Sequence, residues 1–348
     1  MKVGRRLMAL IFLVLPCIGS AEVYDLPPAG NDVVGALTII TARADDTLID
    51  IARRHGLGYE DIVRANPDVD TWLPGEGTEV VLPTRYVLPP GERRGLILNL
   101  AEYRLYYFPE PGPDERAIVM TYPISIWRMD WETPLGRTSV ISKVTNPSWY
   151  PPASVRAEHE ADGDPLPRIV PPGPKNPLGK HAMKLGLPGY LIHGTNRPAG
   201  VGMRVTHGCI RLFPEDIGFL FGQVGVNTLV RIINEPVKIG WDGDELVVEV
   251  HQTLQVTPPG EEDIEATEDS EAVAESVEES DVEAPMVRDK LTSLTEQFVA
   301  VTNARPGKLY WDIAEQLLER ADGVPALVGR QIKNAATSAA SEKVPGIL

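Results

Sequence analysis

Apolar and polar residues alternate along much of the middle of the chain, between positions 86 and 238. Alternation with a period of two places one face of a β-strand in a core and the other face in water. The segments with the clearest strand character are residues 96–100, 103–108, 117–122, 189–192 and 228–233. Proline and glycine separate these segments, and a helix is expected from Pro214 to Gln223. Residues 86–238 are therefore expected to form a mainly β domain with short helices.

A shorter unit, residues 37–84, precedes this domain and combines strand and helix patterns. The expected elements are a strand at 37–41, helices at 46–54 and 59–67, and a strand at 78–83. The first helix would place Leu48, Ile51 and Ala52 on one apolar face. This pattern predicts a small domain with the order βααβ.

The chain changes character beyond residue 238. Residues 239–257 continue as strand, whereas residues 258–285 contain twelve Asp or Glu and no Lys or Arg, so they are expected to be disordered. The net charge of the whole chain is −16. Most of it comes from this acidic segment, so the overall charge does not indicate a basic partner.

Residues 286–348 are predicted to be helical. The first helix would present one apolar stripe formed by Val287, Leu291, Leu294, Phe298 and Val301. The second would follow Pro306, with Leu309, Ile313, Leu317 and Ala321 in register. We expect the two helices to form a hairpin that docks either on the rest of the protein or on a partner.

The first 21 residues have the order of a secretory signal peptide. Lys2, Arg5 and Arg6 precede an apolar run at residues 7–18, which is too short to cross a bilayer comfortably. We expect cleavage before Glu22, a periplasmic location, and a short linker at residues 22–36. No other segment is long and apolar enough to span a membrane, so an integral membrane protein is not expected.

Cys209 lies in the stretch with the greatest density of reactive side chains, residues 193–216. Removal of the signal peptide would also remove Cys17, leaving Cys209 without a partner for an internal disulfide. His193 and His207, two of the six histidines, lie in the same stretch. A lone cysteine is usually an inert apolar residue, but an unpaired exported thiol near histidines indicates a nucleophile. A histidine base is expected to keep the pKa of such a thiol low.

The motifs around these residues resemble a known family. Residues 193–194 are His-Gly, and residues 206–211 are Thr-His-Gly-Cys-Ile-Arg. This pair resembles the signature of the L,D-transpeptidases, whose catalytic domain is of the YkuD type. Similarity to the subgroup of the Gram-negative envelope extends to TPLG at 133–136, NPSWYPP at 146–152, PGP at 172–174 and NPLG at 176–179. The resemblance covers roughly residues 94–238 and implies a YkuD-like β-sandwich for the catalytic domain.

The resemblance also implies a reaction and a role for each motif residue. Members of the family attack the diaminopimelate carbonyl of the peptidoglycan tetrapeptide stem, release the terminal D-alanine, and pass the acyl group from a thioester to an amine. On this chain Cys209 would be the nucleophile and His193 the proton donor and acceptor. His207 is the alternative base. Because an extended chain separates it from Cys209 by roughly 6.5 Å, we expect an orienting or substrate role instead.

Other residues of the motifs are expected to shape the site. Backbone N–H groups near Gly208 would stabilise the oxyanion. Arg211 is expected either to bind the free carboxylate of the stem or to support the loop. Thr206, Gly194 and Tyr190 are predicted to contact the substrate, with glycine leaving room for a substrate backbone.

Two further residues are assigned structural roles only. Asp216 is expected to cap the helix that follows Pro214, and His251 lies on an alternating strand. The histidines are scattered without the spacing of metal ligands, so neither a metal nor a cofactor is expected.

Residues 37–84 resemble a LysM glycan-binding module. The similarity rests on the βααβ order and on DTLIDIARR at 46–54, IVRANP at 62–67 and VVLP at 80–83. It implies binding to the glycan strands of peptidoglycan. The other hypothesis is a structural cap on the next domain, and we favour glycan binding.

Three functions from different classes follow from the sequence. The first is a transpeptidase that forms 3-3 cross-links between stems or attaches an outer-membrane lipoprotein. The second is a cysteine hydrolase on the same scaffold, acting as an L,D-carboxypeptidase or amidase. The third is a non-catalytic peptidoglycan-binding protein. The intact motif favours the first two, and we expect stem peptides and glycan strands, rather than nucleic acid, as partners.

Overall fold

The computed structural model describes residues 22–127, 134–206, 209–254 and 289–332. The predicted signal peptide and the acidic segment at 258–285 lie outside these ranges. Within them, no helix has both the length and the apolar character needed to cross a membrane. The described residues form an N-terminal unit, a large central sheet with its helices, and a C-terminal unit.

The N-terminal unit consists of an antiparallel strand pair and two short helices, preceded by an additional strand. Its elements are β1 (Glu22–Asp25), β2 (Val33–Thr41), α1 (Leu48–Arg54), α2 (Tyr59–Ala65) and β3 (Glu79–Val87). The predicted face of Leu48, Ile51 and Ala52 is buried. Thr47 caps α1 by accepting a hydrogen bond from the backbone N–H of Asp50. The βααβ order predicted for residues 37–84 is confirmed.

The central domain follows, and strands dominate it as predicted. Its elements are β4 (Gly95–Asn99), β5 (Arg104–Phe108), β6 (Ile118–Pro123), β7 (Ile126–Trp127), β8 (Gly136–Thr145), α3 (Ala153–Ala161), β9 (His181–Leu185), β10 (Leu191–His193), β11 (Arg204–Thr206), β12 (Ile210–Arg211), α4 (Pro214–Gln223) and β13 (Leu229–Ile233). Nine strands form one sheet in the order β1-β6-β5-β4-β13-β8-β9-β10-β12. Strands β7 and β11 form a separate parallel pair.

Successive residues of β4 show how both faces of the central sheet are covered. Leu96 and Leu98 belong to the core that includes Leu220 of α4. Ile97 belongs to a second core that includes Val34 and Tyr86 of the N-terminal unit. Because residues alternate between the two faces of a strand, the central sheet lies between α4 and the N-terminal unit. The two units therefore share buried apolar surface.

Residues 22–36 are not the linker that the composition indicated. Strand β1 pairs antiparallel with β6 and forms an edge of the central sheet. Asp32 then accepts a hydrogen bond from the backbone N–H of Trp241 at 2.9 Å and pairs with Arg93 at 2.5 Å. Strand β1 has only four residues, and its partner is distant in sequence, so no local pattern revealed it.

The C-terminal unit contains more strand than the sequence indicated. Its elements are β14 (Val237–Asp242), β15 (Glu245–Val250), α5 (Lys290–Thr302), β16 (Gly307–Leu309), α6 (Trp311–Arg320) and β17 (Ala326–Gln331). The strands form one sheet in the order β14-β15-β17-β16. Both predicted helices are present, but the description of residues 286–348 as helical missed β16 and β17. Strand β17 pairs with β15, which precedes the acidic segment, and only tertiary structure brings these strands together.

The helices of this unit pack on its own sheet rather than projecting as a separate hairpin. Leu294 of α5 and Leu317 of α6 share a core with Trp241 and Leu246. Leu291, predicted to lie on the buried stripe, is 49% exposed. The question of docking left open by the sequence is thus answered for the described residues: the helices bind the body of the protein.

Candidate active site

The pairing of two short parallel strands arranges the reactive side chains. Strand β10 pairs with β12 so that Ile192 lies beside Ile210, and His193 beside Arg211. Ile192 and Ile210 are fully buried in the core. Alternation then places His193 and Arg211 on the opposite face, and Cys209, two residues before Arg211, on that same face. The predicted nucleophile, the predicted base and the arginine therefore share one face.

Backbone hydrogen bonds hold the segment around Cys209 on both sides. Ser125 and Arg211 exchange two of them, at 2.8 and 3.1 Å, and the Leu212 N–H donates to the His193 carbonyl at 2.9 Å. The Ser125 side chain also donates to the Gly200 carbonyl at 2.7 Å. Ser125 was not identified from the sequence, because it acts mainly through its backbone and lies far from the motif.

Cys209 is half-buried and lies against the turn that precedes β10. Its Sγ atom is 4.0 Å from the carbonyl oxygen of Gly189. Burial raises the pKa of the thiol, while a backbone hydrogen bond from Leu191 and the charge of Arg211 act in the opposite direction. A low thiol pKa was expected from the sequence, and that expectation is wrong for the free protein. Burial outweighs the neighbouring positive charge.

His193 is buried and fixed by its own backbone. Its Nδ1 lies 2.6 Å from the Gly194 carbonyl oxygen. Because a carbonyl can only accept a hydrogen bond, Nδ1 carries the proton and Nε2 keeps its lone pair. Burial, and to a smaller extent the charge of Arg211, lower the pKa of His193 to about 3. Hydrogen bonds to the backbone carbonyls of Gly194 and Leu178 act in the opposite direction. The imidazole is therefore neutral and able to accept a proton through Nε2.

Arg211 is a charged group with spare hydrogen-bonding capacity beside the thiol. Its Nε is buried and lacks a hydrogen-bond partner among the residues that the structure describes. Burial lowers the pKa of Arg211, and the neighbouring Cys209 opposes this. The guanidinium remains protonated at any physiological pH. An unsatisfied buried donor costs free energy, so this group is suited to an anionic ligand.

The NPLG sequence at 176–179 forms a hydrogen-bonded turn that contacts His193. Asn176 is buried, and its Nδ2 donates to the Pro147 carbonyl at 2.8 Å, while its Oδ1 accepts from the Leu178 N–H at 2.9 Å. These bonds fix the backbone that presents the Leu178 carbonyl to His193. The loop predicted at 158–176 begins inside α3, which ends at Ala161.

The structure gives different environments to the remaining residues that were predicted to form the site. Tyr190 is half-buried next to Gly189, at the turn that contacts the thiol. Gly194 is buried, and a Cβ there would lie 3.0 Å from Ile217 Cγ2, so close packing rather than access for substrate explains this glycine. The backbone of Thr206 pairs with Trp127. His207 and Gly208 lie outside the described residues, and their assignments stay predictions.

Asp216 does not cap α4 as predicted. The N-cap position belongs to Phe213, and Asp216 is buried within the first turn. Burial, followed by the charge of Glu215, raises the pKa of Asp216 to about 7, although Arg104 and Arg53 oppose the shift. A carboxyl of this kind is protonated over part of the physiological pH range. The sequence offered no signal for it, since Asp at the start of a helix is ordinarily solvated.

A second buried polar cluster contains His251. Its Nε2 lies 2.7 Å from Glu249, and the Lys238 ammonium pairs with both Glu249, at 3.0 Å, and Glu102. Lys238 also donates to the hydroxyl of Tyr106 at 2.9 Å. Glu102, Glu249 and His251 are close enough to one another to suggest metal ligands. However, the ammonium already occupies the position between the two carboxylates, and the cluster connects the central and C-terminal sheets.

Comparison with known proteins places the site in a family context. The model of the L,D-transpeptidase catalytic domain, YkuD, matches residues 93–232. The chain is 42% identical over 252 residues to a probable L,D-transpeptidase YcfS of Escherichia coli, covering 71% of this chain and 77% of that protein. It is 42% identical over 235 residues to a probable L,D-transpeptidase ErfK/SrfK of Salmonella typhimurium, covering 66% and 74%.

A solved structure is also similar to part of the chain. The catalytic domain of an L,D-transpeptidase from E. faecium is 19% identical, with a TM-score of 0.31, covering 42% of this chain and all of that one.

Proposed function

The chain belongs to the L,D-transpeptidase family, and from this premise we propose that it is a periplasmic enzyme that forms a thioester on Cys209 from a peptidoglycan tetrapeptide stem. The acyl group then passes to an amine. The observation that supports this proposal is the placement of Cys209, His193 and Arg211 on one face of the β10–β12 pair. That arrangement supplies a nucleophile, a base and an anion-binding group in one place.

The proposed first half-reaction moves one proton twice. Nε2 of His193 accepts the thiol proton as Sγ of Cys209 attacks the diaminopimelate carbonyl, giving a tetrahedral oxyanion. The bond between that carbon and the nitrogen of D-alanine then breaks, and His193 returns the proton to the leaving amine. This leaves a thioester and a neutral imidazole. We propose that backbone N–H groups near Gly208 and Cys209 stabilise the oxyanion.

The second half-reaction repeats these steps in reverse order. An acceptor amine attacks the thioester, His193 takes the proton of that amine, and the thiol of Cys209 is released when it regains the proton. The acceptor is proposed to be the side-chain amine of another stem, giving a 3-3 cross-link, or the amine of an outer-membrane lipoprotein.

The electrostatics of the free site oppose ionisation of the proposed catalytic pair. A raised thiol pKa and a histidine pKa of about 3 both oppose the thiolate–imidazolium pair before substrate binds. Arg211 contributes to the low histidine pKa. A carboxylate of the stem bound to Arg211 would neutralise that charge, which would make protonation of His193 easier but would remove a charge that lowers the pKa of the Cys209 thiol.

We also propose functions for the N-terminal unit and for the first 21 residues. The βααβ unit is proposed to bind glycan strands, supported by its LysM-like sequence. Residues 1–21 are proposed to direct export to the periplasm, where the substrate is found. Fusion of residues 1–40 to alkaline phosphatase, which is active only after export, tests this part. An inactive, cytoplasmic fusion would contradict the periplasmic location.

Product analysis tests the reaction itself. Purified protein is incubated with disaccharide tetrapeptide, with and without an added D-amino acid as amine acceptor, and the products are identified by mass spectrometry. A transpeptidase releases D-alanine and yields the exchanged tetrapeptide or a 3-3 linked dimer. Tripeptide as the main product, even with saturating amine, would indicate a hydrolase. Unchanged substrate under all conditions would contradict both reactions.

A further inference from the structure

The N-terminal unit contacts the chain immediately before the cysteine segment, here defined as the described residues 203–206 and 209–213. The backbone N–H of Tyr59 donates to the Val201 carbonyl at 3.0 Å, and the N–H of Glu60 donates to the Gly202 carbonyl at 3.3 Å. The two backbones touch at a glycine pair, because a Cβ on Gly58 would lie only 2.7 Å from the Cα of Gly202. The approach of the two units at this point leaves no space for a side chain.

A second contact is made at the other end of the cysteine segment. Arg53 at the end of α1 binds Glu215 at the start of α4 in a bidentate pair, with N–O distances of 2.7 and 2.8 Å. Its guanidinium also lies 5.5 Å from the ring centroid of Phe213. Planar bidentate pairs fix direction as well as distance, which a single ammonium contact would not do.

A buried charge pair fixes the unit between these contacts. Arg104 of β5 is buried, hydrogen bonds to Asp61 of α2, and lies 4.4 Å from the ring centroid of Tyr86. Asp61 in turn accepts the backbone N–H of Gly58 at 2.9 Å. The turn that touches Gly202 is therefore held by the central sheet through an ion pair that water does not reach freely.

From these contacts we infer that the N-terminal unit is a positioning element for the catalytic cysteine, which it holds through Gly58 before the segment and Arg53 after it. The inference rests on the proposed function of Cys209. It assigns the unit a role in turnover of stem peptides that contain no glycan, in addition to any binding of the wall. Reactive geometry is sensitive to such support, since a displacement of about 1 Å can cost on the order of 10²-fold in rate.

Two test variants, one charge-swapped double variant and one matched control test this positioning role. Gly58→Ala inserts a methyl group between the units but suits the module itself, because Gly58 has extended backbone angles that alanine adopts. Arg53→Glu reverses one charge of the partly buried pair with Glu215, and the double variant Arg53→Glu/Glu215→Arg again pairs opposite charges at these positions. The control is Arg54→Ala, whose partner Asp46 lies within the N-terminal unit. Each is measured with a soluble tetrapeptide for kcat and KM, and with iodoacetamide for alkylation of Cys209.

We expect Gly58→Ala and Arg53→Glu to lower kcat about 10-fold at nearly unchanged KM, and to change the alkylation rate of Cys209 in parallel. The charge-swapped double variant should recover most of the kcat, and Arg54→Ala should match the wild type. Wild-type kcat in both test variants, or an effect on KM alone, would overturn the inference. The proposed function would survive that outcome, whereas it would fail if the wild-type protein neither turned over the tetrapeptide nor formed an acyl adduct.

Discussion

The molecule contains two buried polar centres, each with a histidine, and they differ in how their charges are paired. In the centre of Lys238, the ammonium contacts the carboxylates of Glu102 and Glu249, and His251 lies 2.7 Å from Glu249. In the centre of Cys209, Arg211 lies beside a thiol and a neutral imidazole, with no carboxylate among the causes of its shifted pKa. In the first centre each carboxylate has a cationic partner, although Oε1 of Glu102 accepts no hydrogen bond from the described residues. In the second, Nε of Arg211 donates to none of them.

This difference distinguishes buried polar groups that stabilise the fold from buried polar groups that can bind a ligand. Paired charges lower each other's free energy and hold neighbouring elements in register, but they leave little to offer a ligand. In the Cys209 centre, the buried Nε of Arg211 donates to none of the described residues, which costs free energy and leaves it able to bind an anion. Substitutions at the Cys209 centre are therefore expected to impair turnover, and substitutions at the Lys238 centre to lower the stability of the fold.

The largest effect is expected at the nucleophile. Cys209→Ala should lower turnover of the tetrapeptide by on the order of 10⁴-fold or more, because the covalent route disappears. The melting temperature should stay close to that of the wild type, since the side chain is small and half-buried. Steady-state kinetics and thermal unfolding of the same preparation check both statements, and residual turnover above a tenth of wild type would remove Cys209 from its role.

Substitution of His193 should impair activity, whereas substitution of His251 should impair stability. His193→Ala is expected to lower kcat by about 10²- to 10⁴-fold, as removal of a general base does. His251→Ala should leave kcat near the wild-type value and instead lower the free energy of unfolding, because it removes a partner of the buried Glu249. Measuring kcat and urea unfolding for both variants tests this. Equal effects on kcat would break the distinction between the centres.

Lys238 should show the largest loss of stability among these substitutions. Lys238→Met keeps the length and apolar stem of the side chain but leaves the carboxylates of Glu102 and Glu249 without their cation. The expected cost is about 3–5 kcal/mol in the free energy of unfolding, as for other buried pairs broken from one side. Chemical denaturation at pH 7 measures it. A cost below that of a typical exposed ion pair would show that the cluster contributes little.

The smallest predicted effect concerns Asp216 and pH. Its pKa is raised to about 7 in the folded state, so the folded protein holds a proton that the unfolded chain has released. Stability from this group is therefore present at low pH and lost as pH rises through about 7, amounting to roughly 2–3 kcal/mol between pH 5 and 8. Asp216→Asn should lack this loss. Parallel stability profiles for the two proteins between pH 5 and 8 would contradict the assignment.

The sequence predicted those parts of the protein that local patterns encode. Alternation located the central strands and helical spacing located α1 and α4. The motif around Cys209 indicated the candidate site, whose catalytic roles stay predictions. It failed where a property depends on distant partners. Strand β1 needs β6, strand β17 needs β15, and the pairing of each is visible only after folding.

The electrostatics of the site show the same limit. The sequence motif has histidines near Cys209 and so predicted a low pKa for its thiol. The structure instead buries both groups, and desolvation determines the direction of both shifts. The contact between Gly58 and Gly202 could not be predicted from the sequence either, because no sequence motif links these two glycines.

Trapping of the acyl intermediate tests the central claim most directly. The protein is mixed with tetrapeptide without an amine acceptor, quenched in acid within one turnover, digested, and mapped by mass spectrometry. The account predicts a tripeptide acyl group on the peptide that contains Cys209, formed at a rate that matches turnover, with a much smaller yield in His193→Ala. Turnover without any adduct on Cys209, or an adduct on another residue, would contradict it.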